Sequence, residues 1–141
     1  MNTVWLEIDD FESICFNLAI DEFSEKEPIP DYSTRNQAKL EASLALPKQT
    51  FDGKLLYPTL EKQAAVLFYS LIKNHPFENG NKRISVMALL VFLALNYKWL
   101  IIHPDYLSDI ALAVSESKPN ERNNMLKKLH NLFKRSIENS E

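Results

Sequence analysis

The sequence has one cysteine, two glycines, no surplus of positive charge and no apolar run long enough to cross a bilayer. Each shortage excludes something. The lone Cys15 cannot form an internal disulfide, and is expected to pack as a small apolar residue in the first helix, as suits a reducing compartment. A net charge of −3 and a pI near 5.6 lack the basic surplus or stripe that a nucleic-acid binder carries. The longest apolar run, Ile84 to Leu95, is shorter than the ~20 residues of a membrane span, and extending it meets Asn96 and Lys98. The opening MNTVWLEIDDFES shows no basic segment followed by an apolar stretch, so no signal peptide is expected. No internal repeat, low-complexity tract or second domain is visible. These shortages lead to the expectation of one soluble, cytoplasmic domain over residues 1–141, without a membrane or nucleic-acid partner. At 45% hydrophobic residues it can bury an ordinary core.

Helical periodicity dominates what is present. Asp9 or Asp10 can cap a first helix with Phe11, Ile14, Cys15 and Leu18 on one face. EKEPIPDYS reads as a loop, broken by Pro28 and Pro30. Ser33 or Thr34 can cap a second helix, which Pro47 stops. Within residues 47–58, PKQTFDGKLLYP, the pair Asp52-Gly53 signals a two-residue hairpin turn between Thr50-Phe51 and Lys54-Leu55-Leu56-Tyr57. Leu60, Ala64, Leu67, Phe68 and Leu71 then mark a third helix ending near His75. The fourth, from about Asn81 to Asn96, is apolar nearly all round and is expected at the buried centre. His103-Pro104-Asp105 opens a fifth helix, and Pro119-Asn120 a sixth with Met125, Leu129, Leu132 and Phe133 inward. The expected class is all-α, a helical bundle with a central buried helix and one small hairpin.

Residues 75–83, HPFENGNKR, concentrate polar chemistry between two apolar helices. Pro76 pushes His75 out of helical backbone, leaving its ring free to face outward. Phe77 reads as an anchor in the core, and Asn79-Gly80 permits positive φ. The chain then enters a helix whose first N–H groups can bind an anion. Lys82 and Arg83 lie in that first turn, where a cation opposes the macrodipole by roughly 0.3–1 kcal/mol. One multiply charged anion, such as a phosphate chain, would reverse that penalty. His75 could then act as general base on an incoming hydroxyl. The competing structural reading is a plain helix–loop–helix corner with solvated cations.

The nine residues resemble the signature of the Fic/Doc family, H-P-F-x-[D/E]-G-N-[G/K]-R, at eight of nine positions when the free one is counted. The resemblance covers roughly residues 30–115 and points to the shorter, death-on-curing branch. It implies a Fic-fold bundle and an ATP-dependent transferase acting on protein hydroxyls. His75 would be the base, with Lys82 and Arg83 holding phosphates. Asn79, Gly80, Asn81, Lys82 and Arg83 would bind nucleotide, and Pro76 and Phe77 would shape the loop. Phe51, Asp52, Gly53, Lys54, Leu55, Leu56 and Tyr57 would form a flap that aligns a target segment by strand addition. Mg²⁺ would sit at Asn79, where the family has an acid, with the adjacent Glu78 as a further ligand.

Two departures bear on the reaction. Position 82 is Lys where the adenylylating branch has Gly, and Val86 stands where that branch has a second basic residue. The resemblance therefore favours phosphoryl transfer from ATP to a cytosolic protein target, plausibly a translation factor such as elongation factor Tu, over AMP transfer. A catalytically weak nucleotide-binding module is the non-enzymatic alternative. The family's inhibitory pattern, [S/T]-x-x-x-E-[G/N], is only half met, at Ser117–Glu121 and Thr3–Glu7. A separate antitoxin is the expected restraint.

Overall fold

A computed structural model of the chain describes residues 2–19 and 28–139, and residues 25–27 of the expected loop lie outside them. Helix α1, Ile8–Ala19, buries Phe11, Ile14, Cys15 and Leu18, the face read from the spacing. Its start differs from the expectation that Asp9 or Asp10 caps it. Both lie inside the first turn, and the Asp10 carboxylate reaches back to accept the Glu7 backbone N–H at 2.8 Å. An acid there satisfies a donor and favours the positive end of the helix dipole. Burial pushes the Cys15 thiol up to about 11, with Arg35 opposing, so it stays protonated and packs as a small hydrophobe.

Helix α2, Gln37–Ala45, starts later than expected. Ser33 and Thr34 sit in a short turn, Tyr32–Thr34, capped by Asp31. Hydrogen bonds from the Ser33 backbone and hydroxyl hold the Asp31 carboxyl below its usual range. The cap of α2 is Asn36, whose Oδ1 accepts the Lys39 N–H at 3.0 Å. Pro47 closes α2 through the turn Leu46–Lys48.

Strands β1, Thr50–Phe51, and β2, Lys54–Leu55, pair with Thr50 opposite Leu55 and Phe51 opposite Lys54. Asp52 and Gly53 have φ of 54° and 77°, the two positive values that an Asp-Gly turn of the primed kind requires. Helix α3, Leu60–Asn74, follows with Thr59 as its cap. All its residues from Gln63 to Ile72 are buried, and it packs against α2 and α4, Asn81–Leu95. It also packs against α5, Pro104–Glu116, and α6, Arg122–Ser136. Helix α4 packs on α1, α3 and α5, so α3 and α4 share the centre of the core.

After α4 the chain turns at Tyr97, φ 59°, into β3, Lys98–Leu100, which pairs antiparallel with β4, Ile137–Asn139. This second ladder was not expected, because two three-residue strands nearly forty residues apart give no local hairpin signal. His103 caps α5, its Nδ1 accepting the Asp105 N–H at 3.1 Å. At the other end Lys73 Nζ donates to the Ser117 carbonyl at 2.6 Å, a cation on the negative end of the dipole. Among the described residues no helix is long and apolar enough to cross a membrane.

Asn96 pins the N-terminal segment to the end of α4. Its Oδ1 accepts the Val4 N–H at 2.7 Å, and its Nδ2 donates to the Val4 and Phe92 carbonyls, each at 2.8 Å. Asn96→Ala is expected to cost about 2 kcal/mol by removing this buried amide and its partners together. Urea unfolding checks it, and an unchanged midpoint would show that the Val4 pairing adds nothing.

Candidate active site

His75 closes α3 with φ 50° and ψ 58°. The following proline led to the expectation that His75 leaves helical backbone at the end of the third helix, and it does so in the left-handed region. For a non-glycine residue that conformation costs on the order of 1 kcal/mol or more. One side chain holds the strained corner. Asn81, 5% exposed at the first position of α4, accepts the Phe77 N–H on Oδ1 at 3.1 Å. Its Nδ2 donates to the Phe77 carbonyl at 2.8 Å and lies 2.9 Å from His75 Nδ1. The Pro76 carbonyl accepts the Asn36 N–H at 2.7 Å, and the buried Phe77 ring stacks on Phe11 with centroids 6.2 Å apart.

This geometry sets the proton of His75. The Phe77 N–H identifies the oxygen end of the Asn81 amide, so the atom facing the imidazole is a donor nitrogen. Nδ1 must accept, and a neutral ring that accepts at Nδ1 carries its proton on Nε2. The ring itself is exposed.

Gly80 caps α4 with φ 71° and offers no side chain to the helix start. A Cβ there would lie 2.8 Å from Ile29 Cδ1 and 3.5 Å from the Pro28 carbonyl oxygen, so the positive φ favours glycine and a larger residue would also have to displace the Ile29 side chain. Lys82 and Arg83 follow, half-buried, in the first turn. Ser85 Oγ donates to the Asn81 carbonyl at 2.6 Å, which commits it to the helix rather than to a ligand. The loop thus brings His75, Gly80, Asn81, Lys82 and Arg83 together around the positive end of α4, where an anion is favoured.

The two residues expected at a metal are placed differently. The Asn79 Oδ1 accepts the Gly80 N–H at 2.9 Å, so this amide oxygen is turned into the loop. Glu78 is exposed. Among the described residues no group of three or more His, Cys, Asp and Glu side chains could hold an ion. One free carboxylate fits Mg²⁺ that arrives on phosphate oxygens, since such ions keep few protein ligands.

The hairpin forms as expected but does not stand beside this loop. Tyr57, at its base, accepts from Gln63 Nε2 at 2.9 Å in the first turns of α3, whereas His75 lies past the last turn. At about 1.5 Å per residue, α3 separates them by roughly 20 Å, more than strands of two residues span. The flap role assigned to Phe51–Tyr57 therefore lacks the proximity it needs. The segment from Pro28 to Asn36 borders the loop instead, through Ile29 against Gly80 and Asn36 on Pro76. Sequence reasoning took its prolines only as helix breakers. The signal available was Asn36, a capping residue that also sets where the chain crosses the loop.

Helices around an apolar centre, with a His–Pro–Phe loop leading into a glycine-capped, cation-bearing helix, define a Fic-type fold. Comparison agrees. The model of the Fic/DOC family matches residues 5–93, and the chain belongs to that family. It is similar to Toxin Doc of Mycolicibacterium smegmatis, with 38% identity over 66 residues, covering 47% of this chain and 51% of that protein. This similarity lies with the death-on-curing branch, and the chain spans about half the length of the curated relative it matches. No solved structure matches the chain.

The Asn81 contact has a direct readout. At a pH where the ring is neutral, ¹⁵N spectra of His75 are expected to show the tautomer protonated at Nε2. Asn81→Ala is expected to give a mixture of tautomers. A wild-type ring protonated at Nδ1 would contradict the hydrogen-bond assignment.

Proposed function

We propose that the chain is an ATP-dependent transferase, a toxin of the Fic/DOC type, and that it moves the γ-phosphoryl group to a hydroxyl side chain of a protein. The observation that carries the proposal is the single loop on which Asn81 holds His75 at the start of α4, beside Lys82 and Arg83. The acceptor hydroxyl oxygen attacks the γ-phosphorus, the bond to the β–γ bridging oxygen breaks, and ADP leaves. The hydroxyl proton passes to His75. Only an unprotonated ring nitrogen can take it: Nδ1 after the ring lets go of Asn81, or Nε2 after the ring proton has moved to Nδ1. Lys82, Arg83 and the helix start stabilise charge on the transferring group. Glu78, an exposed carboxylate of the loop, would share a phosphate-borne Mg²⁺, which would neutralise the developing charge on the phosphates.

Phosphoryl transfer is preferred to AMP transfer because Val86, in place of a second cation, is apolar and packs against the core. A weaker reading, a nucleotide-binding module with little turnover, draws support from Asn79, whose oxygen faces the Gly80 N–H. Restraint by a separate antitoxin accords with the toxin name of the relative.

The test is label transfer in a bacterial lysate with Mg²⁺ and ATP labelled at the α or the γ phosphorus. Label from γ alone is expected, and His75→Ala should lower it by about 10²–10⁴-fold while ATP binding persists. Label from α would establish AMP transfer. Label from neither position, with ATP still bound, would establish the weak module.

A further inference from the structure

At the end of α3 away from His75, the hairpin opens into a cleft of about 310 Å³. Its lining is apolar at Leu56, Ala65, Val66 and Leu126 and polar or basic at Tyr57, Lys62, Lys127 and His130. Among the described residues no carboxylate lines it. The register of the hairpin extends this face. Leu56 N donates to Gln49 O at 2.8 Å, and Phe51 is opposite Lys54. With alternating side chains, Phe51, Lys54 and Leu56 therefore share one face of the ribbon. Phe51 is 77% exposed and Leu56 49%, which leaves apolar surface leading into the cleft.

The charge of the α6 side is one-sided, although Asp52 and Glu61 lie on the hairpin and the first turn of α3. Helix α6 carries Arg122, Lys127, Lys128, His130, Lys134 and Arg135 and no acid, in a chain whose net charge is −3. It also lies outside the residues 5–93 matched by the family. The cleft is at the small end of the roughly 300–1,000 Å³ that ligand sites occupy, so it suits one or two apolar side chains better than a cofactor. We propose that this face docks an acidic amphipathic segment of a partner protein. Its apolar side chains enter the cleft and lie against Phe51, and its carboxylates meet Lys54, Lys62, Lys127 and His130. Charge complementarity argues for an acidic partner, and the separation from His75 by the length of α3 makes the surface independent of the transfer chemistry.

The experiment uses the isotope-labelled full chain and a synthetic amphipathic peptide with Leu and Phe on one helical face and Glu on the other. A matched peptide with Lys in place of Glu is the control. The Glu peptide is expected to shift the amide signals of Leu56, Tyr57, Lys62, Lys127 and His130, and rising salt should weaken it. The double variant Lys62→Glu/Lys127→Glu changes two exposed side chains and should lower affinity about tenfold or more, with an unchanged thermal midpoint and unchanged ATP binding. Equal binding of the two peptides, binding of neither, shifts confined to the motif loop, or full affinity in the double variant would each overturn the proposal. So would self-association of the chain alone that the same variant abolishes, since that would make a second copy the occupant. Because ATP binding is read separately, failure of docking and failure of the transferase reading remain distinguishable.

Discussion

The carboxamide of Asn81 is the interaction on which the motif loop depends. Its three hydrogen bonds join the end of α3, the buried turn at Phe77 and the first residue of α4. A left-handed histidine before a proline is an unfavourable corner, and Phe77 must bring its backbone polar groups into the core with its ring. A single amide, itself buried, answers both needs, because it has one strong acceptor and two donors in fixed geometry. Ser85 then closes on the Asn81 carbonyl one turn further along. The orientation of His75 is thus a consequence of how α4 begins, and the chemistry of the site is tied to the packing of the core through Phe77 and Phe11.

Most of the helical frame was legible because it rests on period. The buried face of α1, the α3 positions Ala64, Leu67, Phe68 and Leu71 and the sixth-helix positions Leu129 and Phe133 follow from spacing, as the turn at Asp52-Gly53 follows from dipeptide chemistry, whereas burial of α3 on all sides from Gln63 to Ile72 does not. The caps were less legible. Ser33, Thr34 and Asn36 are all good N-caps by type, and only the crossing at Pro76 decides for Asn36. The β3–β4 pairing joins segments far apart in sequence, so local signals carry none of it. Within the site, residue types and order were readable, whereas the left-handed His75, held by the Asn81 amide six residues on, and the turn of the Asn79 oxygen onto the next N–H are choices of loop geometry that residue type does not fix.

Helix α3 acts as a spacer between two polar ends of one apolar rod. Its run of buried residues from Gln63 to Ile72 leaves little open surface along the middle, so open chemistry can occur only at the termini. The motif loop follows the C-terminal end and the hairpin precedes the N-terminal end. A short ribbon could reach the loop only by running back along α3, and its strands are too brief for that. The expectation that the hairpin serves the loop came from the family resemblance, which has a flap upstream of the motif, and an upstream position is not converted into adjacency in space by a rigid helix.

The cations sort by the dipoles of their helices. Lys134 and Arg135 occupy the last turn of α6, where positive charge is favoured and needs no ligand to explain it. Lys73 likewise meets the carbonyl end of α5. Lys127 gains nothing of that kind in the middle of α6, Lys82 and Arg83 run against the dipole of α4, and Arg122 opens α6 against its dipole with its guanidinium 5.8 Å from the Tyr69 ring centroid. Positive charge placed without help from its own helix marks where charge from outside the helix matters. Arg122 has the face of the Tyr69 ring for its charge, which leaves the start of α4 and the middle of α6 as the informative placements. One faces a helix start suited to phosphate, and the other lines an apolar cleft suited to a carboxylate-bearing chain.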